Sequence, residues 1–362
     1  MVWDEVDFDH VYDVGPDHDY PTPEAVPWES LQPSTLVRIH ARAEPYASKW
    51  VISTAATEAA PLVVLGVDGP VITGDGAATR QELDYWNEDR SVVKIGGSSS
   101  SPDTPAWVHL QGLTITSGHP DYAFTDDAGN TGSYTDNAAC VFIESGSHVT
   151  VRGNTLTDCG NGLFISSSTS DALIAQNHIH GNGIVDSYYE HNAYTEALGI
   201  TYEYNRFGPL RDGATGNNLK DRSAGTVIRY NWIEGGNRQL DLVDSSTEAL
   251  LSDASYTATE VYGNVLIEPE DAGNSQVIHY GGDSGDTDRY RKGTILVHHN
   301  TVVSTRSGNT TLLRLSSTGE SADIRNNVVV VDGTLGILAE SGTASLTGCL
   351  LYTSDAADDL YR

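Results

Sequence analysis

This chain is short of positive charge. Its 362 residues hold 20 lysines and arginines against 50 aspartates and glutamates, a formal charge of −30, and the lysines are at 49, 94, 220 and 292 alone. Binding nucleic acid through its phosphates needs a basic footprint, so that class is excluded. The same acidity repels an anionic polymer at long range unless salt or a local basic patch overrides it. It also suits a surface kept soluble in high salt. Long apolar runs are missing: none approaches the roughly 20 residues that cross a bilayer, so no membrane segment is expected. The opening MVWDEVDFDH is acidic and lacks the apolar stretch of a signal peptide. Cysteine is scarce, with three residues and no CxxC pair, which leaves no zinc or redox motif. Helix signals are poor as well. Glycine numbers 36, β-branched residues crowd the apolar runs, and no long 3.6-residue period survives.

What is there is a repeat. The pattern of two alternating apolar residues, a turn residue, Asn and a further apolar residue appears as VTVRGNTL around Asn154 and ALIAQNHI around Asn177. It returns around Asn205, Asn231, Asn264, Asn300 and Asn327, at intervals of 23, 28, 26, 33, 36 and 27 residues. VHLQGLTI at 108–115 is a degenerate earlier copy. Such periods fit solenoid coils with loops of variable length on one side. Parallel stacking would set each short strand about 4.8 Å from its equivalents, and a fixed Asn would form a ladder of amides down the stack. The pattern predicts an all-β, single-domain, right-handed parallel β-helix. Cys140 and Cys159 are expected as buried free thiols, with a bridge between neighbouring coils as the alternative.

Each Asn is followed by a second short strand: CVFIE (140–144), GLFIS (162–166), NAYTE (192–196), NLKDR (218–222), QLDLV (239–243) and QVIHY (276–280). The second residue of each is apolar (Val141, Leu163, Ala193, Leu219, Leu240, Val277) and should point into the coil. Residues one and three should then point outward. The third column reads Phe142, Phe164, Tyr194, Lys220, Asp241, Ile278, and the first reads Cys140, Gly162, Asn192, Asn218, Gln239, Gln276. A polar cluster is thus confined to the middle coils, around Lys220, Arg222, Tyr194 and Asp241, with Asn192, Asn218, Gln239, Arg238 and Glu196 beside it. A merely solvated face would be polar along its whole length. That pattern reads as a site.

Residues 1–40 are expected to form an N-terminal cap and first coil, with a short amphipathic helix carrying Ala25, Val26, Trp28 and Leu31 over the open end. Residues 41–348 form the rest of the same domain. The last stretch, CLLYTSDAADDLYR (349–362), breaks the pattern and resembles a translated sequencing adapter, so it is set aside as a non-native tail.

The repeats resemble those of secreted right-handed β-helix proteins, a class rich in polysaccharide lyases that also contains hydrolases. The opening VGPDHDYPTPEAVPWESLQPSTLVRIH looks like their first coil. The run YEHNAYTEALGITYEYNRFGPLRDGATGNNLKDRSAGTVIRYNWIEGGNRQLDLVDS (189–245) resembles bacterial β-helix proteins described as polysaccharide-degrading. More distantly, the strand around Lys220 resembles the alginate and chondroitin lyase family with a catalytic lysine. That resemblance implies a Lys base, an assisting Arg on the next coil, and often calcium on the uronate carboxylate. Lys220 matches the lysine, but Asp241 stands where the arginine would be, with Arg238 and Arg222 nearby. An extracellular or cell-surface monomer acting on a polysaccharide is the implied setting, its leader being absent from this sequence.

β-Elimination needs a base plus positive charge on the enolate-like intermediate. Lys220 is the candidate base, helped by Arg222, with Tyr194 or His191 to protonate the leaving oxygen. Asp241 opposes that role by favouring the ammonium, and could instead hold Ca2+ with Glu196 or Asp244. Substrate contacts are expected from Asn192, Asn218, Arg238, Gln239, Tyr202 and Tyr204. A glycoside hydrolase would instead use two carboxylates roughly 5–9.5 Å apart, Glu196 with Asp241 or Asp241 with Asp244. A third class stays open, a glycan-binding or surface β-helix protein that cleaves nothing. The histidines 298 and 299 read as turn residues rather than ligands.

Overall fold

A computed structural model describes residue 3, residues 6–101 and residues 103–353. The chain falls into two compact units, Met1–His178 and Ile179–Arg362. Each is built from short, mostly parallel strands wound into coils, the parallel β-helix expected from the repeat. Among the described residues the one α-helix is Glu248–Leu251. No helix among them is long and apolar enough to cross a membrane.

In the first unit, in-register pairing sets like residue on like. Val37 lies opposite Val64, Val64 opposite Leu110, Leu110 opposite Val151, and Val151 opposite Ile174. All five side chains are fully buried. Alternation makes this column possible: one residue in two faces in, so a parallel stack gathers an apolar row at each inward position. The expected capping helix is instead two 3-10 turns, Pro23–Ala25 and Trp28–Ser30. Pro27 is the reason, because it lacks an N–H and holds Val26 extended (φ −67°, ψ 137°). Trp28 still caps the coil, stacked on Trp50 with ring centroids 5.1 Å apart. Cys140 and Cys159 are joined, Cα atoms 5.6 Å apart, so the expected free thiols give way to a bridge between adjacent coils.

The second unit shows the Asn ladder most fully. The backbone N–H of Asn205 donates to Asn231 Oδ1 (2.9 Å), and the pattern continues through Asn264, Asn300 and Asn327 at 2.8–3.0 Å. Each Asn from 231 to 327 also donates Nδ2 to a backbone carbonyl one coil back. The ladder amides from Asn231 to Asn327 are therefore paired; losing one partner would cost about 1–3 kcal/mol. The residue before each Asn turns at positive φ: Tyr204, Tyr230, Gly263, His299 and Asn326. Glycine is needed at 263, where a Cβ would stand 2.5 Å from the Tyr230 ring. At the end of the chain, Leu350–Thr353 pairs with Val328–Val331, so the coil runs past the boundary expected at 348. Residues 354–362 of the expected tail lie outside the described residues.

Candidate functional site

A cavity of about 610 Å³ opens on the outer face of the second unit's coils. Its floor is one column of outward residues. Tyr194 pairs with Lys220, Lys220 with Asp241, Asp241 with His279, and His279 with Arg314. The sequence placed Ile278 in that column; the register is one residue different, and Ile278 lies inward against Leu240. A one-residue slip exchanges the faces of a strand, and here it brings a histidine against Asp241.

Asp241 is the centre of the network. Its carboxylate accepts from Asn217 Nδ2 (2.8 Å) and His279 Nδ1 (2.7 Å), and lies 3.1 Å from Lys220 Nζ and 3.7 Å from Arg238 Nη1. Burial alone would raise this carboxyl. The His279 hydrogen bond and the charges of Lys220, His279 and Arg238 outweigh burial and hold it far below the usual carboxylate range. An ionised carboxylate only accepts, so the His279 Nδ1 carries a proton. On its other side His279 Nε2 stands 2.7 Å from Ser316 Oγ. Asp241, His279 and Ser316 follow the order of a nucleophilic triad. The hydroxyl, however, packs against Gly281, where a Cβ would meet it at 2.6 Å, and bonds the backbone of Gly282 at 3.0 Å. Ser316 holds the imidazole in place.

Lys220 is also paired with Asp283, whose other oxygen accepts from Arg222 Nη2 at 2.8 Å. Arg222 donates Nε to the Tyr194 hydroxyl (2.9 Å). Asp283 was not expected. It arrives on the loop after the strand Gln276–Tyr280, and that loop is anchored from inside the coil. Arg291, fully buried, donates to Asp221 Oδ2 (2.9 Å) and to the Val243 carbonyl (2.8 Å). Asp221 is the inward neighbour of Lys220, so one buried ion pair ties the lysine's strand to the aspartate's loop. Burial would raise the Asp283 carboxyl, but Lys220 and Arg222 lower it overall.

His191 is buried and stacked on Tyr194, ring centroids 5.6 Å apart. Its Nδ1 accepts the Asn217 N–H at 2.9 Å, which puts the ring proton on Nε2. Burial first, and the Lys220 charge second, push its pKa down to about 3. It is a neutral imidazole at working pH.

All five residues expected to do chemistry, Lys220, Arg222, Tyr194, His191 and Asp241, line this cavity, as does Arg238. Several others do not. Asn192, Asn218 and Gln239 are fully buried at a corner of the coil. There Asn192 Nδ2 donates to Asn218 Oδ1 (3.0 Å), and Asn218 and Gln239 donate to backbone carbonyls. They form a second amide ladder because the backbone turns before each strand begins, and alternation fails at the turn. Tyr202 lies inside the coil, hydrogen-bonded to Thr195. Tyr204 sits at the Asn-ladder turn, stacked on Tyr230 at 5.2 Å. Tyr188 and Tyr189, which are exposed, border the cavity instead.

The expected calcium ligands do not gather. Glu196 accepts from Ser245, Asp241 is saturated by its four partners, and Asp244 Oδ1 accepts the Asp283 N–H at 2.8 Å. Among the described residues, the one group of three carboxylate or imidazole ligand atoms within 4.8 Å of one another is Asp13, His18 and His40. Glu196, Asp241 and Asp244 therefore do not fit a calcium ion.

The charge count is the site's main property. Lys220, Arg222, Arg238 and Arg314 line the cavity against two carboxylates, Asp241 and Asp283. The excess is positive in a chain of charge −30.

The fold is shared with solved structures of three enzymes. An alginate lyase from Paenibacillus sp. str. FPU-7 superposes with a TM-score of 0.60 at 10% identity, over 95% of this chain and 99% of that one. A GH136 lacto-N-biosidase from Eubacterium ramulus gives 0.54 at 11% identity, over 95% and 68%. The pectate lyase Pel9A gives 0.52 at 9% identity, over 94% and 80%. At these identities the likeness is one of fold. No protein-family model and no curated protein matches the chain.

Proposed function

We propose that this protein is a secreted polysaccharide lyase that cleaves a uronate-containing chain by β-elimination. The observation that carries the reading is the positive cavity in a strongly acidic protein. An anionic substrate gains there what the rest of the surface denies it. The Cys140–Cys159 bridge supports an oxidising compartment. The fold's likeness to an alginate lyase, a lacto-N-biosidase and a pectate lyase supports a glycan substrate.

In this reading the substrate carboxylate takes the place of Asp283 on Lys220 and Arg222, one anion exchanged for another. The C5–H bond breaks, its electrons form the C4–C5 double bond, and the C4–O bond breaks with the oxygen taking a proton. Lys220 and Arg222 stabilise the charge that builds on the carboxylate. Lys220 was the base expected from the sequence. Its ammonium is bonded to Asp241 and Asp283, so acting as a base would first break two ion pairs. We assign it the stabilising role and give proton transfer to Tyr194, held by Arg222 Nε: its oxygen takes the C5 proton as its hydroxyl proton passes to the leaving C4 oxygen, while His191 stacks on its ring and keeps it in place.

The hydrolase alternative would now rest on Asp241 and Asp283, which share one ammonium and so stand close enough for a retaining pair. That chemistry needs one carboxyl kept protonated as general acid. Both are held below the usual range. The lyase is favoured on that ground.

The test is a panel of uronate and neutral polysaccharides, with and without chelator. Ultraviolet absorbance from an unsaturated product on a uronate polymer is the expected result. Reducing ends without that absorbance would establish a hydrolase, and neither product would leave a binding protein.

A further inference from the structure

In the first unit, well away in sequence from the cavity, three ligand-type side chains converge. Asp13 lies on the strand His10–Val14, opposite Arg38 of the strand Thr35–His40. Its Oδ1 is 3.2 Å from His40 Nε2. His18 comes from the turn between these strands, closed by hydrogen bonds from Gly15 N–H to the Tyr20 carbonyl (2.8 Å) and from His18 N–H to the Gly15 carbonyl (3.1 Å). That turn lays the His18 ring over His40, with centroids 4.2 Å apart and 18° between the planes. Gly15 makes this approach fit, since a Cβ there would stand 2.8 Å from His18 Cδ2. The backbone is shaped to bring His18 in.

We propose that Asp13, His18 and His40 form a binding site for a divalent transition-metal cation of the Zn2+ type, which pins the first strand and its turn to the second. The spacing suits the ion. Two ligands about 2.0–2.2 Å from a tetrahedral Zn2+ stand about 3.3–3.6 Å from each other, close to the Asp13–His40 separation. Two imidazoles and one carboxylate are a nitrogen-rich set that selects Zn2+, Ni2+ or Cu2+ over Ca2+. Arg38 grips the carboxylate by both oxygens, Nε to Oδ1 at 2.7 Å and Nη2 to Oδ2 at 2.8 Å. It does what outer groups do at metal sites, fixing the ligand's direction. His18 is exposed on its turn, so it can close the remaining distance without disturbing the core.

The competing account is that stacked rings and the Asp13–Arg38 pair satisfy each other with no metal. Calorimetric titration of the chelator-treated full chain with ZnCl2, in NaCl and excess MgCl2 to silence the acidic surface, separates the two. The proposal expects one saturable Zn2+ per chain and a tetrahedral visible absorption with Co2+. His18→Ala and His40→Gln should each weaken binding by about tenfold or more, the scale seen even for outer-sphere changes, with circular dichroism unchanged. The paired imidazoles of His298 and His299, Nδ1 atoms 3.0 Å apart beside Glu260, are the internal control. His298→Gln with His299→Gln should leave the isotherm as it was. Absence of saturable binding, an isotherm indifferent to His18→Ala, or one abolished by the 298/299 pair would each overturn the proposal.

Discussion

Replacing Lys220 by Met removes one charge from a site where six charged groups line one cavity. Its outward position alone would suggest a change of under about 1 kcal/mol in stability. The pairing says otherwise. Lys220 is 12% exposed and Asp241 3%, and removing one partner of a buried pair costs about 3–5 kcal/mol when the other charge is left alone. Asp241 is not left alone, because His279, Asn217 and Arg238 remain. Asp283 keeps Arg222. The loss should therefore be about 1–3 kcal/mol, the scale of a charge-assisted hydrogen bond, or a melting shift of about 1–4 °C for a chain of this length. Turnover on the active polymer should fall about 10²-fold or more. Lys220→Arg separates the roles: if the residue supplies charge, Arg restores most of the stability and part of the turnover. His191 gives a readout that folding damage would not imitate. Its pKa is pushed down to about 3 by burial and then by the Lys220 charge, so in Lys220→Met its imidazole NMR titration should move up. Full turnover in Lys220→Met would refute the site. Lys220→Arg as inactive as Met would return Lys220 to the role of base.

The same histidine makes a pH prediction. Folded His191 titrates at about 3 and an unfolded one at about 6.5, so between those values the unfolded chain binds more protons. Stability from this group is complete above pH about 6.5 and is lost as pH falls toward 3; His191→Gln should flatten that acid limb relative to wild type, and an unchanged limb would contradict the burial argument. Opening the Cys140–Cys159 bridge with Cys140→Ser and Cys159→Ser should cost about 2–4 kcal/mol, read as a lower melting temperature under non-reducing conditions; equal melting would mean the bridge contributes nothing. If the charge of −30 reflects a saline habitat, melting temperature should rise from about 0.1 M to about 2 M NaCl, and a flat or falling dependence would remove that reading.

How much of this was legible depends on which residues carry local information. Asn154, Asn177 and their five successors declare the coil, because one residue type recurs at one turn and nothing else in the chain repeats that way. The face of Lys220 followed from alternation with Leu219. The slip at QVIHY did not, since Val277 and Ile278 are both apolar and both fit an inward position. Alternation gives no preference there, and His279 was hidden by that tie. The Asn192–Asn218–Gln239 row failed for a different reason: alternation was carried one residue too far, into a corner where the coil needs amides to bond its own turning backbone.

Asp283 was out of reach of any local rule. Its loop, GGDSG, carried a signal of its own in two glycines and an acid directly after a site strand, but nothing in that signal says where the loop goes. The direction comes from Arg291, which enters the coil to meet Asp221. A buried ion pair is weak evidence for stability, since apolar residues of the same volume would often serve as well. Its value lies in geometry. Asp221 is fixed by Thr195 and Thr226 at 2.8 and 2.7 Å, so the guanidinium has one place to bind, and the loop above it one path. The residue that sets the cavity's charge is thus positioned by a pair on the opposite side of the same strand. Inward residues at 221 and outward residues at 220 alternate along the chain, and that alternation is what lets the solenoid's core aim its outward face.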